Sequence, residues 1–110
     1  MRTAENAPSL AREGSWVRLL FEWDEEKAKT NLKKHKVDFD DAMRVFEDVN
    51  RLEFYDEAHS RGEERYNTIG MVRDILFVVY TERREYIRII SARKANRREE
   101  RLYEERKRYP

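Results

Sequence analysis

Two apolar runs, at residues 75–81 and 86–92, constrain this chain most. Only four charged residues, Glu82-Arg83-Arg84-Glu85, separate them. Each run is short for a helix and rich in Ile, Val and aromatic residues. With so tight a connection, they satisfy their backbone groups by pairing as an antiparallel hairpin. The first run is the most apolar strand of the chain and is expected at the centre of a sheet. The second carries an anomaly, because Arg88 lies inside it and Arg93 and Lys94 stand at its exit. A cation in a strand that must pack is costly unless it meets water, a carboxylate or a phosphate. The segment 86–99 is therefore the first place to look for an anion-binding surface.

Upstream, the hydrophobic period changes. Residues 19–23 read as a first strand. Asp24 then caps a helix over about 25–35, with Glu25 and Glu26 in its first turn. Ala28, Leu32 and His35 share a helical face, with Asn31 beside them. Asp38 caps a second helix whose Ala42, Val45, Phe46 and Val49 form a core-facing stripe. From residue 52 the period is two: strands at 52–55 and 65–70 precede the hairpin, and a charged helix at about 95–107 follows it. The order β-α-α-β-β-β-β-α predicts an α+β domain. Its sheet is mainly antiparallel, with four to five strands, two N-terminal helices and a C-terminal helix, the helices lying on one face. Residues 1–18 lack periodicity and are expected to be a flexible extension, leaving residues 19–110 as the folded domain. Val17 is a candidate start residue, since bacteria also initiate at valine codons; N-terminal mass spectrometry decides this.

Charged residues make up 43% of the 110, and the mean hydropathy is -1.05. Disorder is still not expected, because aromatics reach 12% and apolar residues cluster in periodic runs. There is no cysteine, which excludes disulfides and thiolate metal sites. No run approaches the roughly 18 apolar residues of a membrane span, so a cytoplasmic location with no membrane partner is the default. The net charge of +1 conceals a split. Residues 38–64 hold ten acids and three Arg, a balance of -7, and residues 83–110 hold eleven Lys/Arg and five Glu, a balance of +6. A basic surface for nucleic acid is one reading; intrachain pairing on a solvated surface is the other.

Strict alternation puts Tyr86, Arg88, Ile90 and Ala92 on one face, and Ile87, Ile89, Ser91 and Arg93 on the other. If Arg88 and Tyr80 lie on the helix-free face, they form an open surface that Arg65 joins, with forked donors and a stacking ring suited to phosphate and base. Alternatively, Arg88 pairs with an acid such as Glu64 and only supports the sheet. His35, among Lys33, Lys34 and Lys36, is either a general base or a helix-end histidine bonding a carbonyl. No metal-ligand spacing, phosphate loop or GxSxG motif occurs. One reaction needs none of these. RNA is cleaved when its own 2′-hydroxyl attacks the adjacent phosphate, provided that groups accept a proton and stabilise the extra negative charge.

The chain resembles the BrnT family of bacterial type II toxins, ribonucleases with a RelE-like fold. The resemblance is carried by Phe21-Glu22-Trp23-Asp24-Glu25-Glu26-Lys27-Ala28, Asn31, Lys34-His35, Val37 and Phe39. It continues through Ala42, Val45-Phe46, Asp56, His59-Ser60, Glu64-Arg65 and Ile69-Gly70. Val78-Val79-Tyr80-Thr81-Glu82, residues 88–95, Glu99 and Tyr103 complete it. It implies RNA cleavage that arrests translation, with no cofactor or metal. It also implies neutralisation in a hetero-oligomer with a BrnA-type ribbon-helix-helix antitoxin, through which the complex reaches operator DNA. By matching position, the expected catalytic residues are Arg88, Tyr80, Arg65, His35 and Glu64. Arg88 and Arg93 would meet phosphate charge, Tyr80 would stack or transfer a proton, and His35 or Glu64 would accept one. Lys34, Arg93, Lys94 and Arg97 are expected to hold RNA. The alternation reading has Arg93 either reach the phosphate around the strand end or brace the last helix, and leaves it the more structural of the two strand arginines. Where the family usually has Gly after the Lys-His pair, this chain has Lys36. A second reading is a non-catalytic module that binds RNA or the antitoxin in transcriptional autoregulation.

Overall fold

The computed structural model describes residues 1–5, 9–10 and 16–109. Its centre is a mixed six-stranded sheet in the order β1-β4-β8-β7-β6-β5. The strands are β1 (Arg2–Glu5), β4 (Leu20–Trp23), β5 (Leu52–Tyr55), β6 (Arg65–Met71), β7 (Ile75–Arg83) and β8 (Tyr86–Lys94). Two short strands, β2 (Ser9–Leu10) and β3 (Trp16–Val17), pair separately. Three α-helices complete the fold: α1 (Glu25–His35), α2 (Phe39–Arg44), which runs into a 3-10 turn at Val45–Glu47, and α3 (Arg97–Arg108). None of them is long and apolar enough to cross a membrane.

The helix starts follow from their caps. Asp24 accepts from the backbone N–H of Glu26 and Lys27, and Asp38 from that of Asp40. Asn96 and Glu99 form a full capping box at α3. Helix α1 ends on Lys36 in the left-handed conformation, φ 61° and ψ 26°, and its N–H reaches the Leu32 carbonyl. A side chain thus occupies a position where glycine is the unstrained choice, at about 1 kcal/mol.

Helices α1 and α2 cover one sheet face. Phe21, Trp23, Phe39, Val45, Phe46, Leu76, Val78, Tyr80, Ile89 and Ala92 form the core there. Gly70 permits the closest approach, since a Cβ on it would meet Val45 Cγ1 at 2.7 Å. Removing so many large side chains from water, at about 1.5–3 kcal/mol each, is what holds the layers together.

The structure departs from the sequence expectation in four places. The sheet has six strands and one parallel pair, β4 with β8, where four or five mainly antiparallel strands were expected. Parallel partners are far apart in sequence, so no local turn announces them. Residues 2–5 of the expected extension pair with β4 from Arg2↔Trp23 to Glu5↔Leu20, and Ala4 packs against the core. Residues 6–8 and 11–15 of that extension lie outside the described residues. Helix α3 contacts β6 and β7 and is tied to Arg93 on the face opposite α1 and α2, so the helices do not share one face. Finally, β8 contains a bulge. Val79 pairs with Ser91 but Tyr80 with Ile89, leaving Ile90 as an extra residue. Beyond it the alternation inverts, so Ile87, Ile89 and Ala92 all face α1 and α2, while Arg88, Ser91 and Arg93 share the other face.

Candidate functional site

Register across the sheet builds the site. Glu22 on β4, Arg88 on β8, Thr81 on β7 and Arg65 on β6 are successive cross-strand partners, so they form one row on the face opposite α1 and α2. Arg83 and Glu63 flank the row. Arg83 grips the Glu63 carboxylate through two donors, at 2.7 and 3.2 Å. That bond, backed by the positive charges of Arg83, Arg88 and Arg65, holds the Glu63 carboxyl below its ordinary range against the opposing effect of burial. Arg88 and Glu22 have side chains only 16% and 17% exposed, and their closest approach is 3.7 Å. This is well beyond the roughly 2.7–2.9 Å of a charge-assisted hydrogen bond, so the pair is loose. Among the described residues the Arg65 guanidinium makes no hydrogen bond or ion pair within 4 Å, whereas its backbone N–H donates to Ser60 Oγ at 2.9 Å. Between the two arginines, Thr81 is 0% exposed, and its Oγ1 has no hydrogen-bond partner. A buried hydroxyl without a partner is rare enough to need a reason. Here it lies between its strand partners Arg65 and Arg88.

The expected site residues divide between the two faces. Arg65 and Arg88 come together as anticipated. Tyr80 does not join them: it is buried on the α1–α2 face, 4% exposed, packed edge-on to Phe46 at 5.0 Å and stacked on Tyr66 at 5.6 Å. Desolvation pushes its hydroxyl far above the usual tyrosine range, which disfavours proton transfer. Glu64 also lies away from Arg88; it accepts from the Tyr66 hydroxyl at 3.2 Å on Tyr80's side. The acids beside the arginines are Glu22 and Glu63. Alternation carried a signal for both. Glu22 sits between the core residues Phe21 and Trp23, and Glu63 lies two residues before Arg65.

Lys34 and His35, at the end of α1, line a shallow groove with Ile90 and Ser91 along the β8 flank. Arg93 shares the face of Arg88 because of the bulge. Its guanidinium lies 4.2 Å from the Phe77 ring centroid and makes a bidentate bridge to Glu99 at 2.8 and 2.9 Å. Burial pushes the Glu99 carboxyl up, but this bridge and the Asn96 N–H outweigh it, leaving the group below its ordinary range. Arg93 is thus committed to holding α3. Lys94 is exposed and lies 3.7 Å from Asp74, and Arg97 is on the outer side of α3 with Arg101 and Arg108. Neither belongs to the arginine row. His59, in the β5–β6 loop, is exposed and bonded to Asp56 at 3.0 Å. Among the described residues, no group of three or more His, Asp or Glu side chains is disposed to hold a metal ion.

Such a cluster of guanidiniums, with a buried hydroxyl and two carboxylates on one sheet face, can bind a phosphate and stabilise charge developing on it. Comparison with known proteins agrees with an RNA-directed role. Residues 23–99 match the family described as the ribonuclease toxin BrnT of type II toxin-antitoxin systems. Arg65, Thr81, Arg83 and Arg88 all lie within that match. The crystal structure of the Brucella abortus ribonuclease toxin BrnT is similar at 28% sequence identity with a TM-score of 0.57, covering 70% of this chain and 96% of that one. No curated protein matches. The fold, the arginine row and the matched segment together lead to one assignment: this chain belongs to the BrnT family of ribonuclease toxins of type II toxin-antitoxin systems.

Proposed function

We propose that the protein is a metal-independent endoribonuclease that cleaves single-stranded RNA at the Arg65–Thr81–Arg88 row. The observation that carries this reading is the unpartnered Thr81 hydroxyl in the row between Arg65 and Arg88. The scissile phosphate sits on the row. A base takes the 2′-hydroxyl proton, O2′ forms a bond to phosphorus, and the P–O5′ bond breaks as the 5′-oxygen gains a proton. The products are a 2′,3′-cyclic phosphate and a 5′-hydroxyl. Arg88 and Arg65 stabilise the additional negative charge of the phosphorane, an effect worth about 10²–10³ in rate for one well-placed donor. Glu22, only loosely engaged by Arg88, is the carboxylate for the first proton, whereas Glu63 is committed to Arg83. The 5′-oxygen takes its proton from water, since His35 stands on α1, which covers the other face of the sheet. Lys34 guides the RNA backbone.

In this reading the activity arrests translation in the cytoplasm, and a ribbon-helix-helix antitoxin neutralises it in a complex that binds the operator. Inducible expression tests the proposal. Growth arrest is expected from the unmodified protein and is relieved by Arg88→Ala or by co-expression of the cognate antitoxin. Undiminished toxicity of both Arg88→Ala and Arg65→Ala would remove the arginine row from the mechanism.

A further inference from the structure

The arginines occupy one row of the face opposite α1 and α2, and the next row carries a different chemistry. Phe54 on β5, Asn67 on β6, Val79 on β7 and Ser91 on β8 are successive partners there. Phe54 is 40% exposed, large for an aromatic ring on a sheet. Asn67 Oδ1 is buried and has no hydrogen-bond partner. The two buried side-chain oxygens without a partner among the described residues, Thr81 Oγ1 and Asn67 Oδ1, therefore lie on the same face in adjacent rows. Rows two residues apart along a strand are separated by about 7 Å. That is the scale on which a nucleotide's base stands off from its phosphate.

We propose that Phe54 and Asn67 form a nucleobase subsite beside the arginine row, one that selects adenine or cytosine, whose N6 or N4 amino group stands where guanine and uracil carry a carbonyl. This rests on the RNA reading of that row. The base lies on the Phe54 ring, and its amino group, from adenine or cytosine, donates to Asn67 Oδ1. Guanine, uracil and thymine present a carbonyl at that position, which meets the amide oxygen lone pair to lone pair. Stacking supplies affinity without selection, and the amide supplies selection. Asn67 is thus a specificity-determining residue and Phe54 a platform.

Binding of short single-stranded 2′-deoxy homo-oligonucleotides, which cannot be cleaved by 2′-hydroxyl attack, tests this apart from catalysis. Fluorescence anisotropy is expected to show oligo-dA and oligo-dC binding about tenfold more tightly than oligo-dT. Asn67→Ala removes that preference, while Phe54→Ala weakens all three alike by about tenfold. In the unmodified protein, the Asn67 side-chain amide resonance shifts with oligo-dA and not with oligo-dT, a readout that does not require the variant to fold. Equal binding of the three oligonucleotides, or a preference that survives Asn67→Ala, would overturn the subsite. A base preference without RNA cleavage would support it while refuting the proposed activity. RNA cleavage with no base preference would refute the subsite alone.

Discussion

Asn31 joins the α1 helix to the strand that carries Arg88. Strand β4 pairs with β8 only through Glu22↔Arg88, so β8's edge at Ala92 has no strand beside it there. The Asn31 side chain, 6% exposed, takes that place. Its amide oxygen accepts from Ala92 N–H at 3.1 Å, and its nitrogen donates to the Ala92 and Val37 carbonyls at 2.8 and 3.0 Å. Asn31→Ala leaves one buried N–H and two carbonyls short of a partner. At about 1–3 kcal/mol for each unsatisfied group, the carbonyls being the less demanding, the loss comes to about 3–5 kcal/mol. That is a large part of the roughly 5–15 kcal/mol of an ordinary domain. Asn31→Asp fares no better, because its carboxylate retains the Ala92 N–H but opposes two carbonyl oxygens. Urea unfolding measures the change, with native-state hydrogen exchange at the Ala92 amide as a local report. A loss below about 1 kcal/mol at unchanged m, or an Ala92 amide as protected as before, would refute the strand-edge role.

Three further outcomes follow from the geometry. Lys36→Gly is expected to stabilise the protein by about 1 kcal/mol, raising Tm by a few degrees, because the C-cap is already left-handed. Tyr80→Phe is expected to leave RNA cleavage unchanged, since the ring packs in the core away from Arg88; a large loss of rate would restore Tyr80 to the site. Tyr103 donates to Asp48 Oδ2 at 2.6 Å, and desolvation together with that carboxylate raises its hydroxyl above the ordinary value. A raised folded-state pKa contributes stability that is complete below the unfolded value near 10 and is lost as pH rises beyond it. The urea midpoint should therefore fall above about pH 10, and fall less steeply in Tyr103→Phe, where Tyr80 remains the main buried phenol.

Local signals sufficed for much of the fold. Asp24 and Asp38 announced their helices, and the charged turn at 82–85 announced the β7–β8 hairpin, whose tightest point is Arg84 at φ 56°. The same signals located Arg65 and Arg88 on one surface. What escaped them was non-local or one residue wide. The β4–β8 pairing joins segments more than sixty residues apart and brings Glu22 to Arg88. The bulge at Ile90 inserts one residue, so strict alternation misassigned Arg93 relative to Arg88. Arg93 nevertheless braces the last helix through Glu99, one of the two roles its place at the strand exit allowed. Tyr80 was misjudged for a different reason. An aromatic ring in a central strand serves the core or an open face equally well, and only the positions of Phe46 and Tyr66 decide between them.

The central claim is that a row of arginines on the sheet face opposite α1 and α2 drives attack by RNA's own 2′-hydroxyl. The most direct measurement is the end chemistry of RNA incubated with the purified protein in EDTA. The account predicts fragments with 2′,3′-cyclic phosphate and 5′-hydroxyl ends, formed about 10²–10³-fold more slowly by Arg88→Ala. Fragments with 5′-phosphate ends, cleavage that stops in EDTA, or an Arg88→Ala protein of undiminished rate would contradict it.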